Sequence, residues 1–341
     1  NFSASRFRWN LGRRSYVGGI LTSVANGNNR NLVYGPDAIW WAGRDLRVES
    51  FAVAQEDQKV NERKKALGGV INYNTDPLEL QARVHFIDPG FAPALGFVPR
   101  DDMHRFGSFA RRSIRYNKPW SRRVTFSSFF VYITNQRRVL ESRDWGINGS
   151  NQFDSGDTIT YEYKRQLDTV PVDDPFVINP RRKISITPAT YHFNRSKLEY
   201  VGFDGRALVP GAKIEFGDFM SGGSTTVELK NVWRATPHLM MEGFYQINAL
   251  RLPEGNFNAH VWRSRVSVPI QPRMTADAYV QWNSVDDVIS TQLRFQLIYA
   301  RDSNLFVVYT DGRRALDAPL LTRSHGHDQS VQVKLTYRLY Q

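Results

Sequence analysis

The densest cluster of side chains able to do chemistry is His325-Gly326-His327-Asp328. Two imidazoles and a carboxylate on an exposed loop could hold a divalent ion. A recognisable site needs further ligands, and no third imidazole or second carboxylate is spaced to complete one. The cluster therefore reads as a solvated loop; His325, His327 and Asp328 stay as metal candidates only, and no cofactor is expected. Hydrolysis would need a Ser or Asp nucleophile, a His base and an orienting acid or amide. No local motif supplies these, and Asp157, Glu162 and His260 single out nothing. The remaining histidines, His85, His104, His192 and His238, are isolated in sequence like His260, and all five are expected to line a lumen or cap strands. The chain is read as no enzyme, with a barrel-embedded hydrolase as the alternative, since triads can assemble from distant strands.

Composition narrows the class. The 341 residues hold 45 Lys+Arg against 33 Asp+Glu, a formal net charge of +12, with no cysteine and 13% aromatics. Without cysteine there is neither a disulfide framework nor a thiolate metal site. A mean hydropathy of −0.46 and the lack of any apolar run of about 18 residues exclude a helical membrane span. The N-terminal NFSASRFRWN has no charged region followed by an apolar stretch, so any secretion signal is removed or lies upstream. The basic residues are spread along the chain and alternate with other types, unlike a clustered nucleic-acid site, so no nucleic acid partner is expected.

Alternation of apolar and polar residues organises the elements that carry these side chains. Val331, Val333, Leu335, Tyr337 and Leu339 interleave with Gln332, Lys334, Thr336 and Arg338; Leu78, Leu80, Ala82, Val84 and Phe86 interleave with Glu79, Gln81, Arg83 and His85. The same period runs through 159–164, 274–283 and 289–299. A period of two means strands with one apolar and one polar face. Roughly nineteen such strands (18–20), most about 10–13 residues long, suit a tilted membrane crossing better than the shorter strands of soluble sheets. The fold class predicted is all-β: a transmembrane antiparallel up-and-down barrel, occupying 1–341 as a single domain. Arg83, His85, Lys164, Lys230, Arg294, Lys334 and Arg338 are the lumen-lining candidates, mixed with Glu79, Glu162, Glu228, Glu242 and Asp277. Trp40, Trp41, Trp120, Trp145, Trp233 and Tyr340 fit interfacial girdles; loop aromatics such as Phe91, Phe97 and Phe153 could instead stack on a glycan.

The connections alternate in length. Short turns at Gly12-Arg13, Ala42-Gly43-Arg44, Thr75-Asp76, Lys118-Pro119, Ala235-Thr236-Pro237, Gln271-Pro272 and Asp302-Ser303 alternate with a set that is longer on average. Glu56–Arg63, Asp88–His104, Asp168–Pro188, Leu252–Gly255 and Gly312–Gln329 belong to the longer set; Asn135-Gln136, Ser221-Gly222 and Val285-Asp286 are its tight exceptions. In outer-membrane barrels the short rim is periplasmic, which places the C-terminus there. The first strand, about 2–11, also runs toward the short rim, whereas a complete bacterial barrel has an even strand number. Either 139–219 is miscounted by one strand, or strands are missing upstream, the reading preferred here. The loop 88–104 is the plug or lid candidate.

The segments RRSYVGGILTS (13–23), NLVYGPDAIWW (31–41), PFVI (175–178), HLMMEGFYQINALRLPEGNF (238–257), VQWNS (280–284) and LFVVYTDGR (305–313) together resemble the C-terminal β-barrel region of an uncharacterised outer-membrane family, the carbohydrate-binding family 9-like proteins. The resemblance implies a Gram-negative outer-membrane location and a longer protein whose N-terminal sandwich module is not part of this sequence. It carries no catalytic residue over. Within its motifs, Gly18-Gly19 and Gly222-Gly223 suit close or bent backbone, and Leu252-Pro253-Glu254-Gly255 is turn chemistry.

The functional expectation is a porin-like pore or a membrane scaffold anchoring an envelope complex, non-enzymatic, with outer-membrane lipid and envelope proteins as partners. A soluble all-β glycan-binding protein is a further alternative.

Overall fold

The computed structural model describes residues 1–27, 29–58, 62–118, 120–173, 176–314 and 328–338. The strands are β1 (Phe2–Leu11), β2 (Ser15–Asn26), β3 (Asn29–Ala42), β4 (Leu46–Asp57), β5 (Glu62–Asn74), β6 (Leu78–Ile87) and β7 (Met103–Lys118). Next come β8 (Ser121–Thr134), β9 (Leu140–Gln152), β10 (Thr158–Val170), and the short β11 (Val177–Asn179) and β12 (Ile184–Ser185). Then follow β13 (Ala189–Val201), β14 (Leu208–Phe219), β15 (Gly222–Thr236), β16 (Leu239–Leu252) and β17 (Gly255–Gln271). The last are β18 (Met274–Asn283), β19 (Val288–Ala300), β20 (Ser303–Arg314) and β21 (Asp328–Thr336). Nineteen of them form one antiparallel meander in which each strand pairs with its neighbour in sequence, β10 passing directly to β13. The strands β11 and β12 form a separate hairpin inside the connection between those two.

Register turns the sequence alternation into two faces. Cross-strand partners share a face, so Leu229, Tyr245, Trp262, Trp282 and Ile289 make one continuous row across five strands. Nearly all exposed large apolar side chains of the sheet lie on that face; Phe2, Phe51 and Val201 are the exceptions. The opposite face carries Glu79, Arg83, Glu162, Lys164, Glu228, Lys230, Asp277, Arg294 and Lys334. The region 139–219 contributes β9, β10, β13 and β14 to the large sheet, the β11–β12 hairpin standing outside it, so nineteen sheet strands are found among the described residues.

All connections fall on two rims. On the short rim, Gly12 and Gly43 take φ of 78° and 69°, a left-handed backbone that a Cβ would disfavour. Four register irregularities also sit beside short-rim turns, at Arg115/Lys118, Arg234/Thr236, Pro269/Gln271 and Ile298/Ala300; such bulges sharpen twist where a strand reverses. The close approach expected of the glycine pairs holds for one member of each: a Cβ on Gly18 would lie 2.8 Å from the Phe7 carbonyl oxygen, and one on Gly222 2.2 Å from that of Arg251. Gly19 and Gly223 have ordinary room.

Among the described residues the sheet is open: β1 pairs only with β2 and β21 only with β20, and every residue of β1 is exposed.

Candidate functional site on the polar face

Two long-rim loops fold back over the polar face. The first, residues 88–102, buries Phe91 to 5% exposure among Val33, Ala66, Ile87 and Met103, all of which point to the polar side. It is tied down by polar contacts as well. The Asn31 amide group donates to the Ala92 carbonyl (3.2 Å) and its oxygen accepts from the Ala94 N–H (3.1 Å); Gln55 Oε1 accepts from the Ala92 N–H (2.6 Å). Arg100 forms an ion pair with Glu141 and reaches the Ser142 hydroxyl. The loop read from sequence as a plug or lid thus bridges β3, β4 and β9 on the polar side.

The second loop, 171–188, contains the β11–β12 hairpin and packs Ile184 and Ile186 against Val170, Leu250, Leu252, Phe257 and Ala259, with Tyr191, Phe219 and Val285 around them. Ile186, 1% exposed, is among the most buried side chains of the molecule. Glu254, in the β16–β17 turn, clasps the loop. Its carboxylate accepts from the Ser221 hydroxyl (2.6 Å), the Thr187 hydroxyl (2.9 Å) and the Thr187 N–H (3.1 Å). Partial burial works against the charge, but these donors outweigh it and bring the Glu254 carboxyl down to about 2. Arg181 donates to the Asp286 carbonyl at 2.5 Å, carrying the loop across to the β18–β19 turn.

Between the loops and the short rim the polar face is a field of charges. Lys164 and Lys197 flank Glu162 at 2.8 and 3.4 Å; Arg195 meets Glu215 at 2.6 Å, and Arg265 spans Asp277 (3.0 Å) and Glu242 (3.7 Å). Arg195 is buried, with the Ser224 hydroxyl (2.6 Å) and Asp218 carbonyl (3.2 Å) completing its fork. Among the described residues Arg83, Arg105, Lys230, Arg263, Arg294 and Lys334 have no ion pair to a carboxylate. The Nε atoms of Arg83, Arg105 and Arg263 are buried without a partner. Arg294 lies 5.0 Å from the Phe306 ring and donates to Gln296. Arg83 donates to Gln81 at 3.3 Å.

Six of the seven lumen candidates therefore share the polar face. Arg338 lies past the end of β21, where its N–H reaches Ser303 and its guanidinium reaches Asp302 in a short-rim turn. His85 is on the polar face beside Phe51. His238 caps a short-rim turn, its Nδ1 2.8 Å from the Pro269 carbonyl oxygen. The lumen-or-cap expectation fails for three histidines, because strand parity turns them to the apolar face: His104 packs edge-on to Phe86, His260 stacks with Trp282 and bonds the Tyr245 hydroxyl at 2.8 Å, and His192 is exposed. Of the girdle set, Trp40, Trp145 and Trp233 are exposed on the apolar face and Trp120 is exposed in a short-rim turn. Trp41 faces the other way, under the guanidinium of Arg14 at 3.4 Å. Tyr340, His325 and His327 lie outside the described residues, while Asp328 opens β21 opposite Gly312. The loop aromatics form no common platform: Phe91 is buried, Phe97 is 87% exposed, and Phe153 belongs to the opposite rim.

Asp157, Glu162 and His260 are not brought together. Asp157 sits in a short-rim turn, held well below the usual carboxylate range by Arg206 and the Ser155 hydroxyl. Glu162 is paired on the polar face and His260 is on the apolar one. Sequence reasoning passed over Arg105 and Arg263, whose flanks, His104 and Phe106 and then Trp262 and Ser264, alternate only in part; the Glu254 clasp had no local signal. No family model and no curated protein matches this chain.

Proposed function

We propose that this chain is an outer-membrane β-barrel whose apolar face lies in lipid and whose polar, basic face encloses a hydrated lumen partly covered by two inward-folded loops. The observation that carries the reading is the segregation of exposed large apolar side chains onto one face across nineteen strands. A water-soluble sheet would have to cover such a surface, whereas hydrocarbon solvates it. Aromatic side chains near the strand ends of that face suit the headgroup region. The resemblance to the barrel region of carbohydrate-binding family 9-like proteins points the same way. In lipid the edges of β1 and β21 must be paired, because an open edge leaves backbone groups unsatisfied there.

On this reading the barrel is a pore that favours anions, its surplus of cations lying on the polar face. The test is reconstitution into planar bilayers. Stepwise currents with anion preference are expected, and Arg294→Gln should reduce that preference while Arg273→Gln, in an exposed short-rim turn, should not. Insertion without current would sink the pore and leave a loop-plugged scaffold for envelope partners. Extraction in buffer without detergent would overturn the membrane reading altogether.

A further inference from the structure

The cations of the polar face are not equivalent, and one pair of them flanks a formed groove. Lys230, Phe244 and Arg263 are successive cross-strand partners on β15, β16 and β17. Together with Glu242, Arg265 and Tyr279 they line a cavity of about 280 Å³. Its carboxylate is already engaged: Glu242 faces Arg265, which also holds Asp277. On the far side of Lys230, Glu228 is paired with Lys213, and Glu199 stands opposite the same lysine in register. Lys230 and Arg263 are thus left with no acidic partner among the described residues.

Arg263 is also fixed in place. Its guanidinium carbon lies over Phe244, 3.9 Å from the ring centroid, and its Nε is buried. Stacking orients the planar fork and leaves its outer N–H groups for a ligand, the arrangement that suits two oxygens of one oxyanion. Lys230, exposed on a flexible stem two strands away, about 10 Å across the sheet, can swing toward the same oxygens. Phe244 and Tyr279 offer apolar surface beside them.

We propose that this groove binds a small organic anion, a carboxylate or phosphate ester, whose oxygens bridge Arg263 and Lys230 and whose carbon skeleton rests against Phe244 and Tyr279. The inference deepens the reading of a hydrated polar face by naming the solute class that this face retains.

Titration calorimetry on the full chain in detergent tests it, with glucose 6-phosphate and glucuronate as anionic probes, glucose as the neutral match and inorganic phosphate as the bare oxyanion. Both anionic sugars should bind, glucose should not, and inorganic phosphate should bind several-fold more weakly. Arg263→Gln and Lys230→Gln should each weaken binding by roughly tenfold or more, the scale of one charge-assisted contact. Arg263→Lys should recover only part of the loss, since it restores charge without the fork. Lys230 is exposed, so its variant reports on the site even if Arg263→Gln fails to fold. Unchanged affinity in both Gln variants, or an equal loss in Arg273→Gln, would overturn the site in favour of diffuse charge. Phosphate binding as tightly as the sugar phosphate would overturn the apolar half of it. Binding with silent bilayers would leave the site standing and remove the pore; conduction with no probe bound would do the reverse.

Discussion

Glu254 shows how a single side chain can carry more than its local sequence reveals. Within Leu252-Pro253-Glu254-Gly255 it reads as turn chemistry, yet its partners Ser221 and Thr187 lie 33 and 67 residues away. The register of β14 to β17 brings Ser221 beside Glu254, and the inward fold of the β10–β13 connection adds Thr187. Replacing the carboxylate by Ala in Glu254→Ala leaves three donors to water, and because the site is partly exposed we expect a loss of about 1 kcal/mol in loop docking. The loop carries Arg181-Arg182-Lys183, so limited trypsin digestion reads its opening; about 1 kcal/mol corresponds to roughly fivefold faster cleavage when opening is fast. Cleavage unchanged in Glu254→Ala would show that the apolar cluster alone holds the loop. The pH dependence has a definite sign. The folded carboxyl is depressed from the usual 4.5 to about 2, so the clasp contributes fully above the unfolded value and is lost as pH falls through that window. Hydrogen exchange of residues 184–187, corrected for intrinsic rate, should therefore stay slow at pH 6 and rise toward pH 2.

At the level of elements the alternating pattern was the most legible signal, because a period of two sets both the strand and its face without reference to any partner. The runs Leu78–Phe86, Met274–Trp282 and Val331–Leu335 all lie with their apolar members on one face. Residues were misplaced where parity was not applied: His104, His192 and His260 belong to the apolar side by register alone, and Trp41 to the polar side. The direction of the long loops was not legible, since Gly, Pro and apolar residues allow a surface cap as readily as an inward fold. What decides it for 88–102 is Phe91, which finds Val33, Ala66 and Met103 on β3, β5 and β7. Truncation in Phe91→Ala removes a buried ring and should cost the loop about 3 kcal/mol, enough to undock it while the strands remain paired. The expected readout is unchanged strand content by circular dichroism with raised single-channel conductance. A fall in strand content instead would mean that the loop helps to hold β3 to β9 together.

The whole molecule is governed by its edges. β1 and β21 both run toward the short rim, so direct pairing between them would be parallel, while one strand of opposite direction between them would make every contact antiparallel. Either arrangement closes the sheet; on the proposed membrane reading one of them is required, because each unpaired backbone group in hydrocarbon costs several kcal/mol. β1, FSASRFRWNL, has no proline; its two charges, Arg6 and Arg8, turn to the polar face, where Arg6 pairs with Asp37, and inward charge of this kind is one device by which soluble sheets protect an unpaired strand. Its Phe7 and Trp9 continue the apolar face at 64% and 65% exposure. Hydrogen exchange in lipid nanodiscs therefore discriminates at the level of the fold. If the sheet closes, amides along residues 2–11 that do not bond to β2 will exchange about as slowly as those in the middle of β8, which is paired on both sides. Fast exchange at alternate positions of β1, with β8 protected, would show an edge open to water, and a sheet with such an edge cannot be a membrane-spanning barrel.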